Sequence, residues 1–107
     1  MAFYKRPQLS AEEEIARIRM PKEGQIFGVV LSLLGASRLS VECEDGKTRV
    51  CKIPGRLRRR IRIRPNDLVL VEPWKIQPDE KGDIIWRYTR TQISWIQKRG
   101  ILKNITV

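Results

Sequence analysis

The chain has 107 residues, 41% of them hydrophobic, which suits one domain with one small core rather than two. It contains no apolar run of about 18 residues, which excludes a membrane-spanning helix, and no apolar signal-peptide stretch near its start, so a cytoplasmic location is expected. Its 22 Lys and Arg against 12 acids give a net charge of +10, which points to polyanionic partners, nucleic acid before anionic membrane.

The positive charge is uneven. Residues 56–66 hold six bases and no acid, and residues 84–107 hold five bases and no acid, whereas residues 67–83 hold five acids against two bases. A basic surface that serves solubility alone would be spread more evenly. A fold that joins the two basic stretches would make one patch.

In chain order, residues 1–9 carry Lys5 and Arg6 without apolar periodicity and read as a loose basic tail. Ser10-Ala11-Glu12-Glu13 has the form of a capping box and predicts a short helix over residues 10–20. Its apolar stripe is only Ile15 and Ile18, so it depends on contact with the rest of the protein. Residues 25–34 predict a first strand, apolar on both faces, with Gly28 in its middle as in a sharply coiled barrel strand. Gly35-Ala36-Ser37 breaks it. Residues 38–44 then alternate, with Leu39, Val41 and Cys43 on one face and Arg38, Ser40 and Glu42 on the other.

Asp45-Gly46 predicts a two-residue turn, which sets Cys43 opposite Thr48, Glu42 opposite Arg49 and Ser40 opposite Cys51. In that register Arg49 points outward in a cross-strand pair with Glu42. The two cysteines fall on opposite faces, so two reduced thiols are expected. Residues 48–53 form the third strand, and Pro54-Gly55 ends it. The arginine run Arg56, Arg58, Arg59, Arg60, Arg62 and Arg64 follows, with Leu57 pinning a short helical turn. Residues 67–71 and 84–90 predict the last two strands, joined by a polar loop that carries Trp74 and Lys75. Thr91 is the expected cap of a helix that runs through Arg99 and stops at Gly100.

Five short strands with a break after the third, and no long crossover helix, describe an all-β fold. The best match is a five-stranded OB-fold barrel of Greek-key type, with an SH3-like barrel as the rival. The expected organisation is an N-terminal tail over residues 1–23, partly flexible, a barrel over 24–90, and a small C-terminal helix and tail over 91–107 packed on the barrel.

Chemistry favours binding over catalysis. The chain has no histidine and two cysteines, too few ligands for a protein-bound zinc, and it lacks a nucleophile motif or a glycine-rich phosphate loop. No enzymatic activity, metal or cofactor is expected. The candidate RNA-binding residues are Arg38, Arg49 and Lys52 on strands two and three, the run Arg56, Arg58, Arg59, Arg60, Arg62 and Arg64, and Trp74 and Lys75 in the loop. Arg87 and Arg90 near the fifth strand complete the set. Arginine forks suit phosphate oxygens and stack on unpaired bases, and Trp74 offers a stacking face. Trp86 and Tyr88 alternate with Ile84 and read more readily as core.

The strings GQIFGVV, RLSVECEDGKTRVCKIPGRLRRR, DLVLVEPW and DEKGDIIWRYTRTQ, and the helix ending at Gly100, closely resemble the translation initiation factor 1A family in its archaeal form, over about residues 24–102. The resemblance implies an S1-like OB-fold domain that binds rRNA of the small ribosomal subunit at the decoding (A) site, supporting initiator tRNA binding and start-site selection. It implies other initiation factors and the initiator tRNA nearby, a monomer, and residues 56–60 as the part that reaches rRNA. Two features depart from the family pattern. Ile61-Arg62-Ile63 stands where many relatives are expected to carry Val-Trp-Ile, which leaves Arg62 either stacking or pairing with phosphate. There is also no long acidic tail after Val107, so functions attached to such a tail are not carried over. The alternative is a general single-stranded nucleic-acid chaperone of cold-shock type, which would need aromatics on the barrel face. A third reading is a protein–protein adaptor using the acidic residues 67–83.

Overall fold

Alternating strands and glycine-marked turns close into a barrel. The computed structural model describes residues 10–58 and 61–102. Its strands are β1 (Ile26–Gly35), β2 (Arg38–Cys43), β3 (Thr48–Lys52), β4 (Leu68–Pro73) and β5 (Lys81–Arg87). They close in the order β1-β2-β3-β5-β4, with β3 and β5 parallel and the other pairs antiparallel. This is the expected OB-fold barrel, accompanied by helices α1 (Ala11–Ala16), α2 (Gly55–Arg58) and α3 (Arg90–Lys98). Gly28 lies where β1 crosses its neighbours: a Cβ there would meet Val41 Cγ1 at 2.5 Å, so only glycine fits this close approach.

Two cores form where the composition suggested one. Inside the barrel, Val30, Leu39, Val41, Cys43, Cys51, Ile63, Val69, Val71 and Ile84 are buried together. On the outer face of β1 and β4, Phe27, Val29, Leu68 and Leu70 pack with Tyr88 and Ile96 beneath α3. The apolar residues on both faces of β1 are the cause, since each face has a hydrophobic partner to bury against.

The β2–β3 register differs from the expected one by one residue. Val41 lies opposite Arg49, Ser40 opposite Val50, and Leu39 opposite Cys51. The turn takes one residue more: Gly46 N–H donates to Cys43 O at 3.0 Å, Cys43 N–H donates to Lys47 O at 2.9 Å, and Gly46 has φ of 84°. This is a turn followed by a glycine bulge, the standard three-residue hairpin loop. A one-residue slip inverts every side chain of β3. Arg49 and Cys51 therefore point inward, the Glu42–Arg49 pair does not form, and both cysteines are buried on one face as free thiols.

A second correction concerns β5. A bulge at Ile85 leaves Ile84 opposite Val71 but Trp86 opposite Leu70. Trp86 and Tyr88 thus leave the face of Ile84 and join the outer core. The strand also begins three residues earlier than expected, and Thr89 rather than Thr91 caps α3, with Gln92 completing a capping box. Before the barrel, Ser10 and Glu13 form the expected capping box of α1, a helix shorter than the predicted residues 10–20. Gln92 Nε2–H donates to Glu14 O at 2.8 Å, the Tyr88 hydroxyl donates to Arg19 O, and the Arg19 guanidinium lies 4.4 Å over the Trp86 ring. The segment after residue 9 is thereby tied to the outer core. The expected loose tail at residues 1–9, Arg59 and Arg60, and residues 103–107 lie outside the described residues.

Candidate nucleic-acid interface

The β2–β3 hairpin has one closed end and one open end. At the turn, Arg49 is 3% exposed. Its Nη1 and Nη2 donate to the two oxygens of Asp45 at 3.1 and 2.7 Å, and its Nε donates to Pro78 O. This fork–fork pair uses the guanidinium in both directions. Hydrogen bonding from Arg49 holds the Asp45 carboxyl below its ordinary value, and the same bond holds the Arg49 guanidinium above its own. Next to it, Lys47 Nζ pairs with Asp79 at 2.7 Å. Arg49, expected on the outer face as an RNA-binding residue, is thus an internal tie between the hairpin turn and the β4–β5 loop.

At the other end the cations are free. Arg38 lies directly opposite Lys52, and both are exposed. Arg38 is presented by the tight β1–β2 turn, where Ala36 and Ser37 both adopt positive φ, 51° and 61°. Such a two-residue turn matches the strand twist, at some steric cost for residues other than glycine. Lys52 is level with Asp83 of β5, and Asp83 with Glu72 of β4. A row of charge, Arg38, Lys52, Asp83 and Glu72, therefore crosses four strands. Above it sits α2, pinned by the buried Leu57 as its sequence predicted, so that Arg56 and Arg58 are exposed. An open cleft of about 370 Å³ joins Arg56, Trp74 and Lys75 above Glu72, Asp83 and Ile85.

A second concavity, of about 410 Å³, joins Arg64 to Arg90 at the start of α3. Arg62 is exposed between the two. Among the described residues no carboxylate pairs with the side chains of Arg38, Lys52, Arg56, Arg58, Arg62, Arg64, Lys75 or Arg90. Arg87 differs. It is half-buried, its Nη1 is 3.9 Å from Asp67 Oδ2, and its Nε is buried with no partner. It sits at the rim of the second concavity rather than on a free face.

Glu72 and Asp83 were not singled out in the sequence. They looked like ordinary solvated acids, because their meeting depends on the Ile85 bulge, which no residue type announces. Nothing in the site suggests nucleophilic chemistry. Burial raises both thiols, Cys51 to about 12, which leaves negligible thiolate at neutral pH. Among the described residues, no cluster of three or more Cys, Asp or Glu is positioned for a metal, and no helix is long and apolar enough to cross a membrane.

A closed five-stranded barrel with an exposed, carboxylate-free cationic end defines a protein of the oligonucleotide-binding class. Comparison with known proteins is more particular. The profile of the family described as translation initiation factor 1A / IF-1 matches residues 15–106. The chain is 54% identical to translation initiation factor 1A of Methanopyrus kandleri, covering 85% of this chain and 81% of that one. It is 52% identical to the same factor of Pyrococcus abyssi, covering 82% and 78%. The solution structure of the bacterial-type translation initiation factor 1 from the Wolbachia endosymbiont of Brugia malayi is similar with a TM-score of 0.50 and 34% identity, over 67% of this chain and 85% of that one. The chain belongs to the translation initiation factor 1A / IF-1 family.

Proposed function

We propose that this protein is a non-enzymatic initiation factor that occupies the decoding (A) site of the small ribosomal subunit through rRNA contacts, in the cytoplasm and as a monomer. There it supports initiator tRNA binding and start-site selection beside other initiation factors. Family membership supports a role in initiation. The observation that carries the RNA contact is the open hairpin end, where Arg38, Lys52, Arg56, Arg58, Arg62 and Arg64 are exposed with no carboxylate partner among the described residues. The barrel serves as a rigid support, guanidinium forks take phosphates and stack on loop bases, and occupancy blocks early entry of tRNA. Arg59 and Arg60 extend the same run in sequence.

The cold-shock alternative requires aromatics on the outer face of β2 and β3. That face carries Arg38, Ser40 and Glu42 opposite Lys52, Val50 and Thr48. The deciding experiment compares affinity for intact small subunits with affinity for single-stranded oligonucleotides. Tight subunit binding with weak, sequence-tolerant oligonucleotide binding is expected. Equal affinity for both favours the chaperone reading.

A further inference from the structure

The three tryptophans differ in what covers them. Arg19 lies 4.4 Å over Trp86, and Arg99 lies 4.4 Å over Trp95. Trp74 is 38% exposed and has no guanidinium or aromatic ring over it among the described residues. It is nevertheless held: its indole N–H donates to Asp83 Oδ1 at 2.9 Å. An exposed aromatic plane fixed by its own polar handle is pre-organised for stacking, because little rotamer freedom remains to be lost on binding.

The floor beside it is unusual. Glu72 and Asp83 are directly opposite across the β4–β5 ladder, on the same face as Trp74. Like charges in that position repel, and neither is in an ion pair among the described residues. The rim is the reverse, with Arg56 and Lys75 on the same cleft. A basic rim, an open aromatic wall and an acceptor-only floor match the parts of one nucleotide.

The geometry points to this cleft as a seat for a single unstacked guanine nucleotide of loop or single-stranded RNA. The base lies against Trp74, its Watson–Crick edge donates to the Glu72–Asp83 pair, and its flanking phosphates meet Arg56 and Lys75. Guanine presents adjacent N1–H and N2–H donors, which suit a carboxylate. Uracil presents one N–H between two carbonyls and would set oxygen against oxygen. A carboxylate floor left without donors disfavours such a base. The inference rests on the proposed RNA-binding function and gives it a base-selective element that the arginines lack.

The test uses the full chain and two probes, r(UUGUU) and r(UUUUU), followed by the three indole N–H signals in heteronuclear NMR. The first probe is expected to bind about tenfold more tightly, the order of one base–aromatic stack, and to move the Trp74 signal while those of Trp86 and Trp95 stay nearly still. Trp74→Ala should bring r(UUGUU) down to the level of r(UUUUU), Trp74→Phe should retain most of the preference, and Glu72→Gln should shrink it without weakening r(UUUUU). Equal affinity of the wild type for both probes, an unmoved Trp74 signal, or a preference that survives Trp74→Ala overturns the seat. Strong small-subunit binding without the guanine preference removes the seat alone. A guanine preference without small-subunit binding keeps the seat and removes the ribosomal reading.

Discussion

The two ends of the β2–β3 hairpin hold the same kind of residue in opposite states. At the turn, Arg49 is buried, its fork filled by Asp45 and its Nε by Pro78. At the other end, Arg38 and Lys52 face each other in solvent, and α2 adds Arg56 and Arg58. The first set ties loops together and the second is left for a partner. Basic residues contribute to a polyanion footprint only where the protein has not already neutralised them. Of the charge in the central stretch, the portion after Pro54 carries the function.

Breaking the open end should have the largest effect. Replacing Arg56, Arg58, Arg62 and Arg64 together with Ala is expected to weaken small-subunit binding by about a hundredfold or more, at roughly 1 kcal/mol or more per charged contact. Melting temperature should change by only about 2 °C, since solvated surface changes cost under about 0.5 kcal/mol each. Binding measured by sedimentation beside a thermal melt checks both halves.

The closed end should respond in the reverse way. Arg49→Ala leaves Asp45 and Pro78 O without their donor and empties a buried stem, costing about 2–3 kcal/mol, or about 10 °C in melting temperature. Subunit affinity, measured where the variant remains folded, should be close to that of the wild type. A variant that is stable but binds poorly would return Arg49 to the interface.

A smaller effect follows from Asp45. Its carboxyl is held down by the hydrogen bond from Arg49, so its folded value lies below its unfolded one. The stability it contributes is fully present above about pH 4 and is lost as pH falls through the lower folded value. Asp45→Asn should be slightly less stable at neutral pH, and the difference from wild type should vanish in acid. Denaturant midpoints across the acid range test this sign.

Much of the fold was legible in the sequence. The alternation of residues 38–43, the both-face apolarity around Gly28, the Ser10 capping box and the Leu57 pin each correspond to an observed element. The errors came from one-residue events. Asp45-Gly46 suits a two-residue turn as well as a turn with a glycine bulge, and the choice between them inverts β3. That single step moved Arg49 from the surface to the interior and placed Cys51 with Cys43. The Ile85 bulge likewise moved Trp86 to the outer core and brought Glu72 opposite Asp83. Among the candidate site residues, Arg38, Lys52, Arg56, Arg58, Arg62, Arg64, Trp74, Lys75 and Arg90 lie exposed as expected. Periodicity reads which faces exist, but register decides which residues share them.

The most direct test of the account is the salt dependence of small-subunit binding. With roughly six to eight phosphates engaged, log affinity should fall with log salt at a slope of about −4 to −7. Replacing Arg56 and Arg58 with Ala should reduce its magnitude by about 1.4–1.8, roughly 0.7–0.9 per lost contact, while Arg49→Ala should leave it unchanged. A slope near zero in the wild type, or one that responds to Arg49 and not to Arg56 and Arg58, would contradict the assignment of the open end as the RNA contact.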